Sequence, residues 1–213
     1  LAPSAIKMLK ERYEGTRLGR QELYAEILDD IEGALFNGVN IEQNRVELTP
    51  TLTRIVVAVD PAVTSNASSD ETGIVVAGRS EDNQYYILED FSGIFSPDVW
   101  IKKAIECYYK FDADRIVCEV NNGGDLIEKL LRVQDVNVPY TSVRATRGKM
   151  LRAEPISALY EQDKVHHVGY FKELEEQMTS YTPYTTKSPD RLDAVVWALT
   201  SLQSSGKAIF RIS

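Results

Sequence analysis

Residues 54–60 read Arg-Ile-Val-Val-Ala-Val-Asp, five consecutive apolar and mostly β-branched residues closed by a carboxylate. So short a run of such residues, followed at once by Pro61 and a polar loop, predicts a buried strand. A similar run at 115–120, Arg-Ile-Val-Cys-Glu-Val, carries an acid inside it. Between them, residues 73–79 and 85–89 are two further apolar strands, joined through Asn83 and Gln84. Three strands with no helix between them predict an antiparallel meander. The pattern then alternates. Ser96 and Pro97 mark the N-cap and first residue of a helix to about residue 110. After the strand at 115–120 come a helix at 124–134 and a strand at 140–143. Helices follow at about 150–162, 171–181 and 189–202. The expected class is α/β: a mixed sheet in the order β-β-β-α-β-α-β-α, flanked by helices.

Residues 1 to about 38 have a different, helical pattern. One helix is expected from Leu1 to Tyr13, before Gly15. A second is expected from Arg20 to Phe36, where Leu23, Ile27, Ile31 and Leu35 recur every four residues. Such a pair buries little by itself, so residues 1–50 are expected to be a linker or the end of a larger unit. Residues 37–53 carry loop signals, and residues 51–213 form the α/β domain. The chain begins without Met and shows no signal-peptide pattern. No apolar run reaches the roughly 20 residues of a membrane helix, so no membrane partner is expected. Cys107 and Cys118 are too few and too far apart for a disulfide framework or a zinc site. They are expected to be buried thiols in a reducing compartment.

The positions of the acids carry the functional signal. Asp60 ends the first strand; before Pro61 it could equally start a turn. Glu119 sits within a strand flanked by helices, where a carboxylate requires a partner or a cation. Asn121, Asn122, Gly123 and Gly124 follow as a tight loop, at the sheet edge where open α/β folds bind ligands. Asp190 and Asp193 open the last helix on one face, three residues apart. Asp190 also suits the helix dipole, whereas Asp193 borders the apolar stripe of Leu192, Val195, Val196 and Leu199. If the first and fourth strands are neighbours, Asp60 and Glu119 lie side by side. Adjacent carboxylates repel unless a cation intervenes. Oxygen donors without a His or Cys set favour Mg²⁺ or Mn²⁺, and a pair of such ions can drive phosphodiester cleavage. Asp70 is a further candidate ligand, with a solvated loop acid as the simpler reading. His166 and His167 are adjacent, point to opposite faces in extended chain, and make a poor metal pair. Trp100 and Trp197 are expected in the core.

The net charge of −8 (24 − 32) argues mildly against a nucleic-acid partner. The stretch from Tyr140 to Ala153 runs against that average. It holds Arg144, Arg147, Lys149 and Arg152 and no acid, and a local basic patch can hold phosphates on an acidic protein.

The segments VVAVDPAVT, SDETGIVVAG, IVCEVNNGGD, VRATRGKMLRAEPISALYEQDKVHHVG and SPDRLDAVVWAL resemble the C-terminal nuclease domain of the large terminase subunit of tailed bacteriophages and prophages. The opening YEGTRLGRQELYAEILDDIEGALF is similar to the end of that family's ATPase motor region. The resemblance implies a ribonuclease-H-like fold and an endonuclease that cuts concatemeric double-stranded viral DNA by a two-metal mechanism. Its acidic cluster maps onto Asp60, Glu119 and the Asp190/Asp193 pair, with the choice within that pair left open. It implies that Lys149 and Arg152, with Arg147 and Arg144, contact DNA. It further implies Mg²⁺ or Mn²⁺ as cofactor. The implied partners are the terminase ATPase domain, the small subunit and the portal, in the host bacterial cytoplasm. No GxxxxGK[ST] phosphate loop is present, so the chain is expected to cut DNA and not to pump it. Alternatives are another nuclease of this fold, of resolvase or transposase type, an actin-like nucleotide-binding module, and a non-catalytic adaptor.

Overall fold

A computed structural model of the chain describes residues 33–62, 71–120, 124–186 and 188–204. A six-stranded mixed sheet runs through them in the order β5-β4-β1-β2-β3-β6. The strands are β1 (Leu52–Asp60), β2 (Gly73–Ser80), β3 (Tyr85–Asp90), β4 (Arg115–Glu119), β5 (Tyr140–Val143) and β6 (Val165–His167). The helices are α1 (Gly38–Gln43), α2 (Pro97–Lys110), α3 (Gly124–Gln134), α4 (Lys149–Glu161), α5 (Lys172–Thr179) and α6 (Asp190–Ser204).

The meander forms as expected: β1 pairs antiparallel with β2, and β2 with β3. Asn83 makes the turn between β2 and β3 at φ 60°, a left-handed conformation that Asn tolerates. β4 and β5 then add in parallel beside β1. Because β1 is buried along its C-terminal half, its side chains alternate between two cores. Val57 and Val59 face α2 and α3 with Trp100, Ile101, Ile116 and Leu131. Val56 and Ala58 face α4, α5 and α6 with Ile156, Leu174, Leu192 and Leu199. The result is three layers, helix–sheet–helix. Both tryptophans lie in the core, and Cys107 and Cys118 are buried free thiols. Burial pushes the Cys107 thiol up to about 12 and the Cys118 thiol higher still.

The structure departs from the sequence reading in three places. Residues 37–44 are not all loop. Asn37 caps α1, its Oδ1 accepting from the backbone N–H of Val39 at 2.7 Å and of Asn40 at 3.2 Å. The residue that signalled a loop is the cap of a short helix. The second N-terminal helix does not run to Phe36, because Gly33 takes φ 87° and residues 33–36 are turn and bend. The rest of that helix, the helix at 1–13 and Asp70 lie outside the described residues. Third, residues 165–167 form β6, which pairs parallel with β3. Three residues are too few to show a period. Val46 bridges to Val168 just beyond β6, its N–H donating to the His167 carbonyl at 2.9 Å. Among the described residues, no helix is long and apolar enough to cross a membrane.

Candidate functional site

Asp60 and Glu119 come together because of strand register. β1 and β4 are parallel neighbours with Val59 opposite Cys118, so the next residues, Asp60 and Glu119, stand side by side at the strand ends. Alternation puts both on the face of Ala58 and Val117, toward α4 and α6. The start of α6 completes the group. Asp60 is opposite Gly73 across the β1–β2 ladder. A Cβ at Gly73 would lie 2.0 Å from the backbone oxygen of Asp190. Only glycine permits this approach of α6 to the sheet. All four acids are buried, Asp193 to 2 % and Glu119 to 4 % exposure.

Cations from α4 hold this charge. Lys149 and Arg152, three apart, share one helical face. Lys149 Nζ donates to Asp193 Oδ2 and, at 2.7 Å, to Ser188 Oγ. Arg152 Nη1 donates to Glu119 Oε2 at 3.2 Å and Nη2 to Asp193 Oδ1 at 3.5 Å. Trp197, on the first turns of α6, donates its Nε1–H to Glu119 Oε2 at 2.5 Å, and the Arg152 guanidinium lies 4.7 Å over its ring. Arg152 Nε is buried with no hydrogen-bond partner among the described residues.

Among the described residues, Lys149 and Arg152 pair with Asp193 and Glu119. Burial, then the charges of Asp193 and Glu119, push the Asp60 carboxyl from 3.8 up to about 8, with Lys149 only partly opposing. Burial also raises Asp193, although Lys149 and Arg152 pull it down. Lys149 is itself raised: burial works against its charge, but Asp193, Asp60 and Asp190 outweigh that. Asp193 and Lys149 both rise because the acid is fully enclosed while the lysine is part-exposed and surrounded by acids.

Asp70 is outside the described residues, while Asp60, Glu119, Asp190 and Asp193 all lie in this cluster. Lys149 and Arg152 are there too, turned inward onto acids, while Arg144 and Arg147 are exposed on the β5–α4 connection. Two contributors escaped the sequence reading. Trp197 reads as core by its apolar neighbours, and its N–H has no sequence signature. Arg191 was not singled out from the sequence, yet it is 9 % exposed and ion-paired to Glu71 and Asp90. The histidines lie at the far sheet edge, on opposite faces as expected. His166 stacks on Tyr86, and buried His167 binds Glu175 and Tyr160. Among the described residues, no three His, Cys, Asp or Glu side chains stand in a metal-ligating arrangement. The donor chemistry nevertheless suits a hard divalent ion: carboxylate oxygens from a strand pair and a helix start.

The strand order, the helices on both faces and the acids at the ends of the two parallel central strands define a ribonuclease-H-like fold. The family model of the terminase RNase H-like domain matches residues 57–202, and the chain belongs to that family. Solved structures agree. The large terminase nuclease of thermophilic phage G20c superposes at TM-score 0.57 with 14 % identity, over 79 % of this chain and 98 % of that one. The nuclease domain of the large terminase subunit of bacterial virus Sf6 gives 0.60 with 11 % identity, over 78 % and 98 %. The large terminase of bacteriophage HK97 gives 0.61 with 11 % identity, over 94 % of this chain and 51 % of that one, so this chain spans about half its length. The G20c nuclease has also been solved with bound zinc and with bound magnesium, and a variant of the Sf6 domain with calcium. No protein of curated function matches the chain in sequence.

Proposed function

We propose that the chain is a metal-dependent endonuclease that cuts concatemeric double-stranded viral DNA during genome packaging. One observation carries this reading: buried carboxylates from β1, β4 and the start of α6 lie so close that burial and the charges of Asp193 and Glu119 push the Asp60 carboxyl up to about 8. Asp60, Glu119 and one or both of Asp190 and Asp193 would hold Mg²⁺ or Mn²⁺, as one ion or a pair. Such ions, when bound, supply an activated water and charge stabilisation at the leaving oxygen. The chain's own residues prepare the site. Trp197 and Arg152 both donate to Oε2 of Glu119 and so fix the carboxylate plane. Lys149 restrains Asp193 and keeps its charged form accessible. Arg144 and Arg147 lie exposed just before α4, where they would draw DNA phosphates toward the acids, with Lys149 and Arg152 closer in. Bound zinc, magnesium and calcium in structurally similar nucleases support a divalent requirement. The working partners would be DNA, the ATPase motor domain, the small terminase subunit and the portal, in the host cytoplasm and transiently at the procapsid portal.

The test is nicking and linearisation of supercoiled plasmid in Mn²⁺, Mg²⁺ or EDTA. Wild type is expected to cut only with metal, and Asp60→Ala or Glu119→Ala to lose at least about 100-fold, equivalent to about 2.7 kcal/mol of barrier. Cutting in EDTA, or undiminished cutting by either variant, would overturn the assignment. An inert wild type that fails to bind metal would instead make the chain an adaptor.

A further inference from the structure

Resting on that reading of the acidic site, we propose that Arg191 is a positioning residue, which sets the rotation of the first turn of α6 and thereby aims Asp190 and Asp193 at Asp60. Arg191 lies between those two acids in sequence but faces away from them. A helix turns about 100° per residue, so Asp190 and Asp193 lie about 60° apart and Arg191 projects to another side. There it spans two elements. Its Nε donates to Glu71 Oε2 at 2.9 Å and its Nη2 to Glu71 Oε1 at 3.1 Å. Its Nη1 donates to Asp90 Oδ2 at 2.7 Å, at the end of β3. A bidentate guanidinium–carboxylate pair fixes orientation as well as distance.

Both anchors are themselves held. Asp90 Oδ1 accepts from the backbone N–H of Ser92 at 3.0 Å and from its hydroxyl at 2.5 Å. Next to Glu71, the N–H and carbonyl of Thr72 pair with Gly93 at 2.8 and 3.1 Å. The stem of the connection between β1 and β2 is therefore fastened to the β3 end, and Arg191 fastens α6 to both. On the opposite side of the same turn, Lys149 and Arg152 hold Asp193. From below, Gly73 meets the Asp190 carbonyl. The acidic turn is thus gripped from three directions. Arg191 is the grip that uses neither a metal-ligating candidate nor a DNA-facing residue, so it can be altered without touching the donor oxygens.

The experiment compares the wild-type chain with Arg191→Lys and Glu71→Gln. Mn²⁺ affinity is measured by titration calorimetry, thermal unfolding is followed in EDTA, and plasmid cutting is followed across Mn²⁺ concentrations. Arg191→Lys keeps the charge but loses the bidentate grip. Glu71→Gln alters the more exposed anchor, and so provides a folded variant should Arg191→Lys not fold. The expected result is Mn²⁺ binding weakened about tenfold in both. Their fold at the assay temperature is unchanged, and cutting recovers as Mn²⁺ is raised. Mn²⁺ binding equal to wild type in a folded variant overturns the positioning role while leaving the nuclease reading intact. Failure of wild type to bind Mn²⁺ overturns the nuclease reading, and this inference with it.

Discussion

At the scale of single residues, Asp60 shows how function and stability oppose each other. Its carboxyl holds a proton to about pH 8 in the folded chain but only to about pH 4 when unfolded. The folded state therefore binds more protons between those values, and metal-free stability falls as pH rises from about 4 to 8. Asp60→Asn removes that slope. In EDTA at pH 8 it should raise stability by about 1–3 kcal/mol while abolishing cutting, which chemical denaturation and plasmid assays would check. The position of Asp60 was legible because a carboxylate closing an apolar strand is conspicuous. Glu119 was legible because a carboxylate within a strand covered by helices requires a partner or a cation. Trp197 was not, because a buried indole looks the same in sequence whether its N–H faces a carboxylate or a carbonyl.

At the scale of elements, long periodic segments were legible and short ones were not. The meander, α2 to α6 and β5 follow from hydrophobic pattern and turn residues. β6 and α1 owe their existence to tertiary partners. α1 leads into Arg45, which pairs with both oxygens of Glu175 at 2.7 and 2.8 Å, while His167 Nδ1 contacts the same carboxylate at 2.9 Å. Burial alone would raise Glu175, but Arg45 and His167 reverse this and hold it at about 2. A depressed carboxyl stabilises the fold above its unfolded value of 4.5, and that contribution is lost as pH falls from 4.5 toward 2. Glu175→Gln should cost about 1–3 kcal/mol at neutral pH, since buried Arg45 would lose its bidentate carboxylate and keep only Glu42 as counter-charge, and should flatten the acid limb of the stability curve. Urea unfolding from pH 7 to pH 2.5 would show both effects.

At the scale of the whole molecule, an acidic protein must still meet a polyanion. The overall charge of −8 opposes DNA, so attraction has to be local. Arg144 and Arg147 are both exposed on the β5–α4 connection. Replacing both with Ala should lower the slope of log affinity against log salt by about 2, with Mn²⁺ affinity unchanged. Fluorescence anisotropy with a labelled duplex across salt concentrations would measure it. The sequence displayed this basic stretch but not that Lys149 and Arg152 turn inward, because the direction of a long side chain depends on acids more than thirty residues away.

The attachment of residues 33–51 also has a mechanical meaning. Tension applied at residue 33 would first meet the Leu35–Tyr181 bond, then the cap of α1, then the Arg45–Glu175 pair and the bridge at Val46. Only when all had yielded would the load reach Leu52 and β1. The bridge and the ion pair sit beside β6, the outermost strand on that side, three strands from β1. A pull on the chain would thus be absorbed at the margin of the sheet, and the strands carrying Asp60 and Glu119 would be the last to feel it.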